Sequence, residues 1–327
     1  MDWTVLNSKK HELDSIRPLP PALVRNLEEW FRVELTYTSN AIEGNTLTRR
    51  ETAIVIEKGL TVGGKSLKEH LEAINHAKAL DIVRELVSKK NRNLSEVDIL
   101  RIHEMVLSGI DDSNAGRYRD VAVRISGSSV ILPNFRKVPV LMEEFATWIK
   151  GQKNLHPAAL ASEAHYRLVT IHPFVDGNGR TARLLMNLIL MMHGYPPAII
   201  RPRDRLAYIS GLESAQLGGP KIQYERLILK AIGRSLDIYL KAVKGEDGDS
   251  QLEEDNLKLK IGQIAKAAGE TVPTIRFWTK EGLLHVVDVS ESGYQLYDPA
   301  TIDRCRQIQA LKKKRMTLAE IKIKLQA

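Results

Sequence analysis

Between His172 and Arg183 the chain reads His-Pro-Phe-Val-Asp-Gly-Asn-Gly-Arg-Thr-Ala-Arg, which places a histidine, a carboxylate, two glycines and two arginines within twelve residues. Histidine is the side chain whose ordinary pKa lies near neutrality, so His172 suits a general base or acid. Asp176 offers an oxygen of the kind that a phosphate-bound Mg²⁺ uses. Gly177 and Gly179 flank Asn178, so the backbone can curl into a concave row of amides that approaches phosphate oxygens closely. Arg180 and Arg183 are three apart, share a face if helical, and match phosphate with planar guanidinium forks. Each residue alone has an ordinary structural use. Together they point to a polyphosphate.

The elements around this stretch must position it. Apolar spacing at Leu160, Ala161, Ala164 and Leu168 predicts a helix over Pro157 to Ile171, and Leu184, Leu185, Leu188 and Met191 predict a second from about Gly179 to His193. The chemistry-bearing stretch is then a loop, and the second helix aims its unpaired N–H groups and partial positive charge at it. Upstream, Pro20-Pro21 opens a helix to about Tyr37, after which Ser39 and Glu43 lie one turn apart if helical, with Gly44 placed to end the turn. A glutamate there faces the negative end of the dipole. Its neighbours do not account for it, which leaves open an exposed turn residue or a distant cationic partner. Ser66-x-x-Glu69 and Ser95-x-x-Asp98 read as capping boxes, the first opening a helix through about Lys89, the second a helix in which His103 is a packed core residue. Val121, Val123 and Ile125, a turn at Gly127-Ser128-Ser129, and Val130-Ile131-Leu132 predict a small β-hairpin. Helices follow from Pro139 through Trp148, from Ala207 to about Gln216 and from Tyr224 to Val243. An acidic stretch from Gly245 to Asp255 then reads as a linker.

At 327 residues the chain exceeds one typical domain, and two are expected. With 43% apolar and 27% charged residues, the composition is that of a soluble globular protein. The one cysteine, Cys305, excludes an internal disulfide framework and suits a reducing compartment. Met1-Asp-Trp-Thr shows no basic start before an apolar core, so no signal peptide is expected, and the expected location is cytoplasmic. The most apolar run, Leu184 to Ile200, is broken by Asn187, His193 and Pro196-Pro197, so no membrane span is expected. A net charge of +8 allows nucleic-acid contact and equally serves solubility.

The stretch from His172 to Arg183 resembles the signature of Fic-domain proteins, His-Pro-Phe-x-Asp-Gly-Asn-Gly-Arg-x-x-Arg, with every fixed position met. Ser39-x-x-x-Glu43-Gly44 is similar to the inhibitory motif that many of them carry ahead of the core. The resemblance implies transfer of AMP from Mg-ATP to a Ser, Thr or Tyr hydroxyl of a protein target. It implies His172 as the base, Asp176 on Mg²⁺, and Gly177, Asn178, Gly179, Arg180 and Arg183 on the phosphates. It further implies that Glu43 pairs with Arg183 and blocks the γ-phosphate site. The hairpin would be a flap whose Val130, Ile131 and Leu132 hold the target by strand addition, with Gly116-Arg-Tyr-Arg119 as its lead-in. Tyr208 would wall an adenine pocket. Intact Gly177-Asn178-Gly179 favours nucleotidyl transfer over kinase-type relatives. A different nucleotide, phosphorylation or removal of AMP remain rival activities.

From Leu257 the character changes. Ile261 to Ala268, ended by Gly269, and Val272 to Lys280 predict two short helices; Val286 to Tyr297, turning at Ser292-Gly293, predicts a wing. Ile-Gly-Gln-Ile-Ala…Thr-Ile-Arg-Phe-Trp-Thr-Lys-Glu-Gly-Leu-Leu resembles the MerR-type DNA-binding domain, which implies DNA contact by Thr274, Arg276 and Lys280. Residues 257–327 hold 13 Lys/Arg against 7 Asp/Glu, as phosphate contacts require. Gln295 stands where that family has arginine, and no long dimerisation helix follows, so a protein-interaction module is the alternative for the tail. A DNA-binding regulator whose Fic domain merely senses ATP is the alternative for the whole. The expected fold is mainly α: an N-terminal helical region (1–94), a Fic core with its flap (95–244), a linker (245–256) and a winged helix-turn-helix (257–327). Expected partners are ATP, Mg²⁺, a hydroxyl-bearing protein and DNA, with no membrane; a homodimer is left open.

Overall fold

The computed structural model describes residues 3–89, 94–245, 259–289, 295–298, 300–313 and 316–326. They fall into two units, residues 1–246 and 247–327. The described helices of the first are α1 (Thr4–Ser15), α2 (Pro21–Ile42), α3 (Arg49–Lys58), α4 (Leu67–Ser88), α5 (Glu96–Leu107), α6 (Val138–Gly151), α7 (Pro157–Ile171), α8 (Asn178–Met192), α9 (Arg205–Gln216) and α10 (Ile222–Lys244). α8 follows the signature loop and is buried around nearly its whole circumference, from Arg180 through Leu190. A helix apolar on all sides belongs at the centre of a bundle. α7, α4 and α5 pack on it, α2 lies on α4, and α10 closes against α1 and α9. One apolar core runs from Leu6 to Leu240, so the N-terminal helices share the core of those that follow.

Both expected capping boxes form: Ser66 N–H donates to Glu69 Oε2 at 2.9 Å, and Ser95 N–H to Asp98 Oδ2 at 2.9 Å. α2 continues past the expected end near Tyr37, because Thr36, Thr38, Ser39 and Asn40 are buried polar residues that apolar periodicity does not flag. α1 and α3 escape that periodicity too, burying only Leu6 and Leu13, and Thr52 and Val55. The signal for α3 was a third capping box, Thr48-x-x-Glu51, whose two bonds are 2.7 and 3.2 Å.

Residues 121–134 differ from the expected hairpin. The turn is present, with Ser128 N–H on the Ile125 carbonyl at 3.1 Å, but no strand ladder joins the two sides. Side chains hold the segment instead. The Arg119 guanidinium donates to the carbonyls of Val121 (3.1 Å) and Pro133 (2.6 Å) at its base. Glu213 of α9 accepts from Ser128 Oγ (2.7 Å) and Ser129 N–H (3.1 Å) at its tip.

The second unit contains β1 (Leu259–Lys260), α11 (Ile261–Ala268), α12 (Val272–Lys280), β2 (Asp288–Val289), β3 (Gln295–Tyr297), α13 (Thr301–Lys313) and α14 (Leu318–Gln326). The strands form an antiparallel sheet in the order β1-β3-β2, pairing Leu259 with Tyr297 and Val289 with Gln295. Its core joins Ile264, Ile275, Trp278, Leu284, Tyr297 and Ile308. Gly269 ends α11 at φ 66, as the sequence predicts. The linker residues after Gly245 and the wing turn at Ser292 and Gly293 lie outside the described residues. No described helix is long and apolar enough to cross a membrane.

Candidate active site

α7 delivers His172 as its C-cap in the left-handed region, φ 51, the only non-glycine residue with positive φ among those described. Such a conformation persists where surrounding bonds fix it. Here the His172 N–H donates to the Leu168 carbonyl (2.9 Å) and its own carbonyl accepts from Arg119 Nε (2.8 Å). One arginine therefore ties the histidine's backbone to the base of the flap. In the ring, Nδ1 faces the Val169 carbonyl at 3.3 Å, so the proton resides there and Nε2 is left as an acceptor. Burial lowers the His172 pKa below the ordinary histidine value, which keeps the ring neutral at pH 7.

The loop that follows is fixed from inside. Asn178 is 4% exposed; its Oδ1 accepts from Phe174 N–H (3.0 Å) and its Nδ2 donates to the Phe174 carbonyl (2.9 Å). Its side chain therefore staples the loop, leaving only its backbone for a ligand. Gly177 has φ 78, and a Cβ there would lie 3.2 Å from the His103 ring, so both conformation and space require glycine. The Gly177 N–H donates to Asp176 Oδ1 at 2.6 Å. At Gly179 a Cβ would meet the Glu43 carboxylate, so that carboxylate sits directly over the first turn of α8, where the expected anion would lie.

Arg180 is 3% exposed and reaches Glu72 Oε1 (3.2 Å) and Asp176 Oδ2 (3.3 Å), while its Nε has no partner among the described residues. Nothing in the sequence around Glu72 marks it as part of the site. It comes from α4, and only the tertiary fold brings it to the signature. Its other oxygen accepts from Asn45 at 2.9 Å, which links it to the turn after Glu43. The Asp176 side chain is 53% exposed, open to a cation on its solvent side. No three His, Cys, Asp or Glu side chains cluster among the described residues. A metal here would take one protein carboxylate and complete its shell from phosphates and water, which fits Mg²⁺.

Arg183 is 5% exposed, and Ser39 and Glu43 meet it as a pair. Arg183 Nε donates to Ser39 Oγ (2.9 Å) and Nη2 to the Ser39 carbonyl (2.9 Å) and Glu43 Oε1 (2.7 Å). Ser39 and Glu43 occupy the last turn and C-cap of α2, so the cationic partner absent from the neighbouring sequence is Arg183. Tyr208 is 3% exposed, packed in the apolar core with its hydroxyl beside Arg183. The Tyr208 hydroxyl is 2.7 Å from His165 Nε2, His165 Nδ1 is 2.8 Å from the Tyr224 hydroxyl, and that hydroxyl donates to the Ser162 carbonyl at 2.9 Å. The terminal donation fixes every proton. His165 carries its hydrogen on Nδ1, and Tyr208 donates to Nε2, turning its lone pairs toward Arg183.

In the flap, Ile131 is 94% exposed, and Val130 and Leu132 are half-buried. In the second unit, Arg276 and Lys280 are exposed one turn apart on α12, beside Phe277 at 46% exposure. Thr274 caps that helix together with Thr271, their hydroxyls 2.8 Å apart.

Residues 93–190 match the Fic/DOC family and residues 259–327 the MerR HTH family regulatory proteins. A protein adenylyltransferase Fic of Culex quinquefasciatus is 37% identical over 72% of this chain and 47% of its own length. The chain thus spans about half the length of the curated relatives it matches. A Fic domain containing signaling protein from Bacteroides thetaiotaomicron superposes with a TM-score of 0.70 at 29% identity, over 75% of this chain and 99% of that one. Fic-1 of C. elegans, residues 134–508, superposes with a TM-score of 0.66 at 35% identity, over 74% of this chain and 72% of that one. With the signature loop, its two arginines and the tail assembled as described, the chain belongs to the Fic/DOC family and carries a MerR-type helix-turn-helix as its C-terminal unit.

Proposed function

We propose that this protein transfers AMP from Mg-ATP to a Ser, Thr or Tyr hydroxyl of a protein, and that Glu43 holds it inhibited. The observation that carries this reading is the one acceptor nitrogen of a neutral His172, set beside an anion loop whose second arginine already holds a carboxylate. The names of the relatives, protein adenylyltransferases, support the same class of reaction. In the transfer, Nε2 of His172 takes the target hydroxyl's proton as the hydroxyl oxygen bonds to the α-phosphorus. The bond from that phosphorus to the bridging oxygen breaks, and pyrophosphate leaves. The α8 N-terminus and Arg180 stabilise charge on the leaving diphosphate. Asp176 would hold Mg²⁺, which neutralises phosphate charge. Among the described residues the backbone of Ile131 and Leu132 has no hydrogen-bond partner, and strand addition by the target would use those groups.

A second reading concerns the tail alone. Arg276 and Lys280, exposed on one face of α12, suit contact with DNA, and the MerR likeness supports that role. The single cysteine, Cys305, is buried and suits a cytoplasmic protein. ATP labelled on the α- or the γ-phosphate separates the activities. Adenylyl transfer moves only the α label onto protein, phosphorylation only the γ label. Incorporation of γ label alone would overturn the proposal.

A further inference from the structure

His103, at the end of α5 nearest the signature loop, is fully buried and bonds at both ring nitrogens. The Gly116 N–H lies 3.1 Å from Nδ1 and can only donate, so Nδ1 is the acceptor and the ring's hydrogen is on Nε2. Nε2 lies 3.0 Å from the Asp176 carbonyl and donates to it. The ring also lies flat on Phe174, with centroids 3.5 Å apart and planes at 5°. Gly177 sits against it where a Cβ would be 3.2 Å away. Three residues of one short loop thus rest on one imidazole.

The consequence follows from the planar peptide between Asp176 and Gly177. Its carbonyl and N–H point in opposite directions, so fixing the carbonyl fixes the N–H. That N–H is the donor that holds Asp176 Oδ1 at 2.6 Å. We infer that His103 is a positioning residue of the transfer site, one that orients the Asp176 carboxylate and the start of the anion loop through a single peptide plane. The inference rests on the proposed role of Asp176 as the Mg²⁺ ligand. Arg180, on the other carboxylate oxygen, sits farther away at 3.3 Å and bonds Glu72 as well, so it fixes the carboxylate less tightly. Removing the Nε2 donor while keeping an aromatic ring should let the peptide rotate and scatter the carboxylate. Partners behind a metal ligand typically govern affinity or activity by about 10–100-fold.

The test uses the full chain with Glu43→Gly as parent and adds His103→Phe, which keeps the stack, or His103→Gln, which returns an amide donor near the Nε2 position. Binding of a non-transferable ATP analogue is titrated against Mg²⁺ by calorimetry, together with self-modification by α-labelled ATP. His103→Phe is expected to need about 10–100-fold more Mg²⁺ for both, with His103→Gln recovering most of the difference. A merely structural role would lower the melting temperature of both variants and leave the Mg²⁺ dependence unmoved; that result overturns the inference. If His103→Phe does not fold, His103→Asn, which can face Gly116 but is too short to reach Asp176, takes its place. If the parent neither binds the Mg²⁺-dependent analogue nor transfers AMP, the proposed function fails. Hydrogen exchange over residues 172–179 then decides the positioning: His103→Phe should speed it and His103→Gln should not, and equal exchange in all three chains overturns it.

Discussion

Replacing Glu43 by glycine should make the protein slightly less stable and markedly more active. Glu43 Oε1 holds Arg183 Nη2 at 2.7 Å; the Arg183 side chain is 6% exposed, that of Glu43 37%. A hydrogen bond to a charged group is worth about 1.5–3 kcal/mol when shielded, and an exposed ion pair about 0–1 kcal/mol. With one partner buried and the other half in solvent, about 1–2 kcal/mol is reasonable, the lower end being favoured by screening at Glu43. If the pair must open before ATP is aligned, deleting it should raise the rate by about 5–30-fold, the factor that 1–2 kcal/mol represents. The carboxylate also covers Gly179, so clearing it should give ATP a better-aligned phosphate chain. That makes the estimate a lower bound, since misplacement by about 1 Å can cost about 10²-fold. The gain should appear in turnover more than in ATP affinity. The assay is self-modification and target labelling with α-labelled ATP, paired with thermal melting. Unchanged labelling with unchanged melting would refute the inhibitory role of the Ser39–Glu43 turn.

Three further outcomes are expected. Tyr208→Phe removes the hydroxyl beside Arg183 and leaves His165 Nε2 without its donor, which should cost about 1–3 kcal/mol in urea unfolding and lower transfer in the Glu43→Gly chain. Burial holds His76 and His165 down to about 3 and His103 down to about 4, against an ordinary 6.5. Below pH 6.5 the unfolded chain therefore binds protons that the folded chain refuses. Stability is complete above that pH and should fall as pH drops toward 4, by up to about 1.4 kcal/mol per pH unit for each histidine; denaturant melts across that range check it. Arg276→Ala should either weaken binding of the full chain to a selected duplex by about 1–3 kcal/mol or reduce its salt slope by about 1, and no change in either removes DNA from that helix face.

Where backbone chemistry carries its own signal, the sequence was readable. The capping boxes at Ser66 and Ser95, the stop at Gly269 and the bounds of α11 and α12 all follow from local rules. So did the loop between α7 and α8, because glycines and a helix start leave little choice of conformation. The flap did not, since Arg119 and Glu213 hold by side chains a segment whose alternation suggests a ladder. Within the site, the residues of the signature itself were visible, but their support was not. Glu72 and Tyr224 lie far from it in sequence and reach it, Tyr224 through His165, only by packing of α4 and α10. The sequence predicts His103 as a packed core histidine, and it is buried; its bonds to Gly116 and Asp176 depend on two loops that no spacing rule brings together. The bond from Tyr208 to His165 behind Arg183 likewise depends on packing that no local rule announces.

The most direct measurement is tandem mass spectrometry of the full-length Glu43→Gly protein after incubation with Mg-ATP and a cell lysate, run beside Glu43→Gly/His172→Ala. A mass increment of one AMP on a Ser, Thr or Tyr side chain, in the protein itself or a target, is expected in the first sample. It should fall by about 10²–10⁴-fold in the second, the contribution of a general base. No AMP adduct in the first sample, or an adduct of equal yield without His172, would contradict adenylyl transfer at this site.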